Sequence, residues 1–310
     1  MCSVGDGRRV PAAAYPGVVR TAADLLVLAA EEWRSREAEH RARVTTWVEP
    51  HLQRRGEGIA HPVEDFLFTY YSHRPAALLR WHPGYGVGLK EASDHATYRG
   101  YVTHDGVTSV APQHLDGARR LVRDIRALLV ATAGRSANFG CFGMHEWAMV
   151  YRQPAADVRH SSWPLRLGGA GTDRVVESHR IACSHFDAFR FFTDAARPRN
   201  TLQPGRDDRV AFEQPACLHA GMDLYKHAFR LSPLVPSELV ADCFELARDI
   251  RVLDMRASPY DLSDLGYSPL PVETPEGKAE YVAAQRRFAE RGAPLRNRLV
   301  DWCERLLASS

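Results

Sequence analysis

Between Leu115 and Leu129, apolar residues recur every three or four positions, which is the spacing of one face of an α-helix. The pattern predicts an amphipathic helix over residues 113–132, and such a helix needs a core to pack against. Helices are also predicted to begin at Thr21 and Pro62 and to cover 140–152, 184–196, 216–230, 237–256, 275–291 and 294–308. So many helices must bury their apolar faces against one another, which favours a helix-dominated fold.

The middle of the chain carries turn signals typical of β-hairpins. The segment YVTHDGVTSV at 101–110 alternates in polarity around Asp105-Gly106, a dipeptide that favours a tight hairpin turn. A second hairpin is predicted from 164–167 to 174–183, joined by the glycine-rich sequence LGGAGTD. We therefore expect an α+β fold that is predominantly α-helical. It would form a single compact domain with two short β-hairpins over residues 21–310, after a flexible N-terminal lead-in at 1–20.

The composition is that of an ordinary globular protein. Of 310 residues, 45% are hydrophobic and 25% are charged, and no apolar run reaches the roughly 18–20 residues of a membrane span. The first residues lack the apolar segment of a secretory signal, and the six cysteines form no CxxC pair. We expect a cytoplasmic protein with reduced cysteines, no membrane contact and no indicated protein partner. The net charge of +2 permits DNA binding without arguing for it.

Three segments carry polar residues where apolar ones would be expected. The first, FGCFGMHEWAMVYR at 139–152, is intensely hydrophobic yet contains His145 and Glu146. Burying such a pair is costly unless both side chains are hydrogen-bonded or coordinated. Neighbouring helical residues point in different directions, so at most one of the two faces any single site. The competing structural interpretation is an ion pair between Glu146 and Arg152.

The second segment, IACSHFDAFRFF at 181–192, contains Cys183, His185 and Asp187 in alternation. On a strand these three side chains would share one face, beside phenylalanines whose apolar surroundings would perturb the pKa of a buried acid. If a helix begins at Ser184 instead, the hydroxyl caps that helix and Asp187 only complements the helix dipole.

The third segment, EQPACLHAGMDLYKHAFRL at 213–231, places His219 and Asp223 four residues apart. On a helix the two side chains lie on one face, a spacing that suits two metal ligands or a hydrogen-bonded acid–imidazole pair. The alternative is a solvated salt bridge between Asp223 and Lys226, although most of the surrounding residues are apolar.

A fourth segment, at 245–262, is rich in arginine and aspartate. Ion pairs at helical spacing explain most of this pattern. Arg256, in the turn that follows, could instead hold an anionic group of a substrate, because a guanidinium presents a bidentate fork.

The motifs of several large enzyme classes are absent from the sequence. There is no HExxH, no GxGxxG after a strand, no GxxxxGK[ST] and no GxSxG, which argues against zinc proteases, dinucleotide enzymes, P-loop proteins and serine hydrolases. Two chemistries remain open. Metal-free acid–base catalysis would use Glu146, His185, Asp187, His219 and Asp223. A divalent metal, iron or zinc, would instead take ligands from His145, His185, His219 and Asp223.

Five segments carry a family resemblance: HPVEDFLFTYYSHRP (61–75), WHPGYGV (81–87), FGCFGMHEWAMVYR (139–152), CSHFDAFRFF (183–192) and LDMRASPYDL (253–262). They resemble an actinobacterial family known as 3-methyladenine DNA glycosylases, over a span from about residue 30 to about residue 305. The resemblance implies a DNA-repair hydrolase that excises alkylated bases from damaged DNA without a cofactor. It brings no catalytic residue with it, so the site residues rest on the patterns above.

Two hypotheses follow: a base-excision N-glycosylase, or a metal-dependent enzyme for small molecules, an oxygenase for example. A non-enzymatic helical binding protein is a third, but it would not need buried imidazoles. Candidate substrate-binding residues, chosen because a base extruded from DNA needs aromatic walls and its phosphates need arginines, are Tyr71, Trp81, Trp147, Arg152, Phe189 and Arg256. Since each unpaired buried polar group costs about 1–3 kcal/mol, we expect the three His-containing segments to converge on one cavity.

Overall fold

The computed structural model describes residues 25–154 and 162–309. The helices in these ranges are α1 (Ala30–Gly56), α2 (Phe66–Tyr70), α3 (Pro75–Leu78), α4 (Ser93–Ala96), α5 (Pro112–Ala133), α6 (Met144–Ala148), α7 (Gly168–Ser178), α8 (Phe186–Phe189), α9 (Arg209–Phe212), α10 (Leu218–Arg230), α11 (Ser237–Arg256) and α12 (Pro275–Ala308). The strands are β1 (Leu26–Leu28), β2 (Val87–Lys90), β3 (Tyr101–His104) and β4 (Val107–Val110). The chain is therefore a predominantly α-helical α+β protein, as predicted. The expected lead-in at 1–20 and the helix start at Thr21 lie outside the described residues.

Long helices with strong sequence signals are found where they were predicted. Helix α5 buries Leu115, Val122, Ile125 and Leu129 along one face, and α11 covers the predicted 237–256. Apolar residues at helical spacing were a sufficient guide here because both helices pack against other helices, α5 against α12 and α11 against α10.

Helix α12 replaces two predicted helices with one. Its start follows the expected pattern: the Thr274 hydroxyl accepts a hydrogen bond from the Gly277 N–H at 3.1 Å, and Pro275 occupies the first turn. The predicted interruption between 291 and 294 is wrong, since the helix runs through Pro294. A proline removes one backbone donor, and packing of α12 against α5, α10 and α11 outweighs that loss.

The four strands form one sheet in the order β1-β2-β4-β3. Strand β1 is parallel to β2, and the other neighbouring pairs are antiparallel. The predicted hairpin at Asp105-Gly106 is confirmed: both residues have positive φ, 48° and 74°, as the tightest two-residue hairpin turn requires.

The second predicted hairpin is wrong. Residues 168–178 form helix α7 instead, which buries Val175 and Val176. The Thr172 hydroxyl donates to the Gly168 carbonyl at 2.8 Å inside this helix. Glycines suggested a turn, but one of them, Gly171, leaves room for the side chain of Leu167 at the start of the same helix, because a Cβ there would stand 2.7 Å from Cβ of Leu167.

Four other predicted helices differ in extent. The chain from Leu26 is a strand before α1 begins at Ala30, and the helix expected at Pro62 begins only at Phe66. Residues 184–196 contain one short helix, α8, and 140–152 contain only α6. In these segments tertiary contacts override the local preference for helix.

The largest apolar core draws on both described ranges of the chain. It includes Leu115 and Trp147 from the first part and Val176, Leu224 and Leu299 from the second. Helices α6, α10 and α11 meet in this core, and they carry the polar residues described next.

Candidate functional site

Helix α6 carries two buried polar side chains into the core. All five of its residues are buried, with His145 at 2% and Glu146 at 5% relative exposure. As expected for neighbours on a helix, they have different partners: His145 lies against Asp254, and Glu146 lies against Arg251.

Helix α11 supplies these partners from adjacent turns. One Arg251 nitrogen, Nη1, donates to Glu146 Oε1 at 2.9 Å and to Asp254 Oδ2 at 3.0 Å. The predicted alternative, an ion pair between Glu146 and Arg152, is wrong, because Arg152 pairs with Glu177 at 2.9 Å on the surface. The helix-spaced Arg–Asp pairing expected in 245–262 does form at Arg251 and Asp254, in the interior.

Helix α10 places His219 between the other two imidazoles. Its ring meets that of His145 at 4.5 Å and 86°, and that of His185 at 5.3 Å. The three predicted segments therefore converge, and His219 is the residue that links them.

The His185 side of this convergence is rich in ion pairs. His185 Nε2 lies 3.4 Å from Asp223 Oδ2 and 3.5 Å from Glu213 Oε1. Arg209 donates to both carboxylates, at 2.7 Å to Asp223 and 2.6 Å to Glu213. Lys226 contacts Asp223 at 3.1 Å, so the predicted pair between these two forms, although Asp223 is buried instead of solvated.

Two more contacts complete the surroundings of Asp223. The Tyr71 hydroxyl donates to Asp223 Oδ1 at 2.8 Å, and Lys226 also reaches Asp187 at 2.9 Å. The Ser184 cap proposed for α8 is wrong: the helix begins at Phe186 and its N-terminus has no side-chain cap.

The converging side chains form two groups of three residues with ligand-type atoms, which we call the first and the second triad. The first triad is His145, His219 and Asp254, and the second triad is His185, Glu213 and Asp223. In each, one nitrogen or oxygen per residue lies within 4.8 Å of the others, and all six residues are buried. Nitrogen and carboxylate oxygen are ligands for zinc and iron, so either triad has the donor types for a divalent ion.

The two triads differ in how their charges are balanced. Around the second, the carboxylates of Asp187, Glu213 and Asp223 face the cations of Arg190, Arg209 and Lys226. Around the first, within the described part of the chain, the carboxylates of Glu146 and Asp254 share one cation, Arg251. Before any imidazole proton is counted, the second triad is neutralised by side chains, whereas the first retains one negative charge.

The first triad also leaves ligand atoms without a directed partner. His145 Nε2 and Asp254 Oδ1 are 3.0 Å apart, but neither has a well-directed hydrogen bond within the described chain. Burial would lower the pKa of His145, but the Asp254 carboxylate outweighs it and raises that pKa well above its usual value. Burial and the neighbouring His145 hold the pKa of His219 well below its usual value, so His219 is neutral.

In the second triad the neighbouring cations have the larger effect on the pKa of the carboxylate. Burial would raise the pKa of Asp223, but Lys226 and His185 outweigh it and hold the pKa well below its usual range. Burial and the Asp223 charge raise the pKa of the Tyr71 hydroxyl well above its usual value. Asp223 is therefore a carboxylate whose oxygens are already occupied by Tyr71, Arg209 and Lys226.

Two cavities border His219, each with space for about one water molecule. The inner cavity has a lining that includes Cys141, His145, Cys183, Cys217, His219 and Tyr281. The outer recess is lined by Phe66, Tyr70, Glu146, Met149, Asp187, Phe191, His219 and Arg251. A ligand of the first triad would thus meet cysteine and tyrosine side chains on one side and an aromatic wall with the charged Glu146, Asp187 and Arg251 on the other.

Several predicted substrate-binding residues lie away from these cavities. The Trp81 indole donates to Glu238 at 2.9 Å, and Trp147 donates to the Ala257 carbonyl at 2.9 Å. Phe189 packs on Phe192, and Arg256 donates to the Ser268 carbonyl at 2.9 Å. Of the predicted set, Tyr71 contacts the site.

Sequence reasoning missed Asp254, Arg251, Glu213 and Arg209. One signal could have revealed Asp254. Along α11, buried Cys243, Ala247 and Ile250 mark one helical stripe, and Asp254 is its next member. A carboxylate on an apolar stripe requires a buried partner.

No protein-family model, no curated protein and no solved structure matches this chain. Among the described residues, no helix is both long enough and apolar enough to cross a membrane.

Proposed function

We propose that this protein is an enzyme that depends on a divalent metal ion bound by His145, His219 and Asp254. The observation that carries the proposal is that Glu146 and Asp254 share the cation Arg251, which leaves the triad one negative charge in excess when His145 is unprotonated, and that His145 Nε2 and Asp254 Oδ1 lack a well-directed hydrogen bond. Such a buried arrangement is costly unless a cation or a proton joins it. A divalent ion would meet three ligand atoms that already lie within 4.8 Å of one another.

Two imidazoles and one carboxylate are the ligand types of non-haem Fe(II) oxygenases, and zinc accepts the same donors. A bound ion would supply Lewis-acid or redox chemistry next to the substrate. The second triad is a weaker candidate, because Arg209 and Lys226 would repel an ion there. We therefore propose one metal per chain, and iron or zinc as its identity.

The outer recess is the proposed substrate site. It reaches His219 on one side, and its wall includes Phe66 and Tyr70, whose rings stack at 4.8 Å. Glu146 lies at the same wall with one oxygen held by Arg251, and its carboxylate would accept a proton from a substrate. The recess holds about one water molecule as it stands, so a substrate would have to displace the half-buried aromatic side chains.

Elemental analysis tests the proposal directly. The untagged protein, purified and then loaded with Fe(II) or Zn(II), should retain close to one equivalent, and His219→Gln should lose it. A matched control is His227→Gln, because His227 is equally buried on the same helix but belongs to neither triad. Glu213→Gln, in the second triad, should also retain the metal.

Wild-type protein with no measurable affinity for either ion would overturn this proposal. The first triad would then be a buried ion pair between a protonated His145 and Asp254. Loss of metal in Glu213→Gln with retention in His219→Gln would move the ion to the second triad.

A second candidate is a base-excision glycosylase acting on damaged DNA, as the sequence resemblance implies. The observation that favours it is the outer recess, where the stacked Phe66 and Tyr70 rings lie beside the carboxylates of Glu146 and Asp187. An extruded base would need such a wall, and a carboxylate would stabilise the positive charge on the sugar. Release of methylated bases from alkylated DNA by metal-free protein, abolished in Glu146→Gln or Asp187→Asn, would support this candidate over the first.

A further inference from the structure

Arg251 links the first triad to the outer recess through a single nitrogen. Nη1 donates to Asp254 Oδ2 at 3.0 Å and to Glu146 Oε1 at 2.9 Å, while Nη2 donates to the Pro62 carbonyl at 3.3 Å. The side chain is 1% exposed, and its guanidinium lies 3.8 Å over the ring of Phe66. The position of the Arg251 guanidinium is therefore fixed by hydrogen bonds and by the Phe66 ring.

This contact determines which oxygen of Asp254 is free. With Oδ2 held by Arg251, Oδ1 is turned toward His145 Nε2, 3.0 Å away. A carboxylate that ligates a metal is usually oriented by a hydrogen bond to its second oxygen, and losing that bond weakens binding.

We infer that Arg251 is a positioning residue, which orients Asp254 as a metal ligand and Glu146 toward the substrate. The inference rests on the proposed metal site. It goes beyond that site because it assigns the orientation of both carboxylates to one buried side chain at the border of the outer recess.

Losing the charge of Arg251 and losing the orientation that it gives to Asp254 would change the metal affinity in opposite directions. A suitable variant separates the two effects. Removing the positive charge of Arg251 would by itself favour a nearby cation, because a repulsive charge is lost. Arg251→Lys keeps the charge but loses the Nη2 bond to the Pro62 carbonyl and the planar group over Phe66, the two contacts that hold Nη1 between the carboxylates. A weaker metal affinity in Arg251→Lys therefore reports the loss of orientation.

The test measures metal affinity by competition with a chromogenic chelator and records the visible spectrum of the Co(II)-loaded protein. We expect Arg251→Lys to bind about 10- to 100-fold more weakly than wild type, with a changed Co(II) spectrum. The control is Arg248→Lys, one turn earlier on α11, where the half-exposed arginine pairs with Glu64 at 3.0 Å. Its affinity and spectrum should match those of wild type.

Glu146→Gln provides a second measurement if Arg251→Lys fails to fold. Arg251 would then contact one carboxylate instead of two, so Asp254 should remain oriented and the Co(II) spectrum should match that of wild type, while the loss of one negative charge lowers the affinity by less than the loss of orientation does. Wild-type affinity and spectrum in a folded Arg251→Lys would overturn the role of Arg251. A loss in Glu146→Gln as large as in Arg251→Lys would also overturn it, whereas absence of metal binding in wild type would refute the metal site itself.

Discussion

The imidazole ring of His145 meets the ring of His219 edge-on, with centroids 4.5 Å apart and planes at 86°. The two residues are 74 positions apart in sequence, on α6 and α10. This contact brings two nitrogen donors beside the Asp254 carboxylate, and it makes His219 the shared border of the inner cavity and the outer recess. Both cavities therefore depend on the position of one side chain.

Metal removal should lower the stability of the protein. A ligand present at 100 times its Kd stabilises the folded state by about 2.7 kcal/mol, so a chelator should lower the Tm of metal-loaded wild type. Asp254→Asn should show no such difference between metal and chelator. Asp242→Asn is the control, because this aspartate lies on the same helix but pairs with Arg43 at 2.8 Å near the surface. Equal shifts in both variants would contradict a metal at Asp254.

Tyr71→Phe should destabilise the fold by about 1.5–3 kcal/mol, the usual contribution of a hydrogen bond to a charged group. The substitution removes the 2.8 Å bond to buried Asp223 and leaves the ring in place. The neighbouring Tyr70→Phe is the control, since that hydroxyl makes a longer contact, 3.4 Å, with the Asp187 carbonyl. Urea unfolding of both variants measures the difference, and equal losses would show that Asp223 does not need Tyr71.

The sequence revealed the long helices and the members of the site, but not how the members pair. His145, Glu146, His185, His219 and Asp223 were found because each interrupts an apolar pattern, and that pattern reflects burial. Their partners come from other elements, and no local rule links positions more than 100 residues apart. Glu146 therefore seemed to need Arg152 six residues away, when it pairs with Arg251.

The hairpin predicted around the glycine-rich segment LGGAGTD was wrong for a different reason. Glycine permits turns, yet it also fits inside a helix where a neighbouring side chain leaves no room for a Cβ, as at Gly171 beside Leu167, and the sequence does not distinguish these uses. Val175 and Val176 are adjacent and both buried, which fits a short helix within the core as well as a strand. Tertiary contacts decided between the two structures.

Two glycine-to-alanine substitutions in long helices should have opposite effects. Gly117 lies in α5 with open space where a Cβ would stand, so Gly117→Ala should stabilise the protein by about 0.5–1 kcal/mol. Gly277 lies in the first turn of α12, where a Cβ would stand 2.0 Å from the Pro271 carbonyl oxygen. Gly277→Ala should therefore destabilise the fold, because that backbone would have to move. Thermal unfolding compares the two, and a stabilised Gly277→Ala would show that the start of α12 adapts without cost.

Acid should destabilise the fold partly through His82, which lies far along the chain from the triads. Burial, with His95 and Arg80 nearby, lowers the pKa of His82 to about 3, and its ring shares a 3.0 Å hydrogen bond with the Tyr101 hydroxyl. Since the ordinary histidine pKa is near 6.5, the unfolded chain binds a proton there between about pH 6.5 and 3 that the folded chain does not. Stability is therefore unaffected by His82 above this window and falls as the pH drops through it.

The size of this effect can be measured as a slope. One extra proton in the unfolded state corresponds to about 1.4 kcal/mol of unfolding free energy per pH unit. His82→Asn keeps a polar group near Tyr101 but does not titrate, so its stability should fall less steeply between pH 5.5 and 4, by close to that amount per unit. A lower overall stability of the variant at every pH does not affect the comparison, because the slope alone reports the proton. Other histidines with lowered pKa values, such as half-buried His73 with a pKa lowered to about 4, contribute equally to both proteins. Urea titrations at several pH values provide the slopes, and identical slopes would mean that His82 protonates as readily in the folded protein as in the unfolded chain.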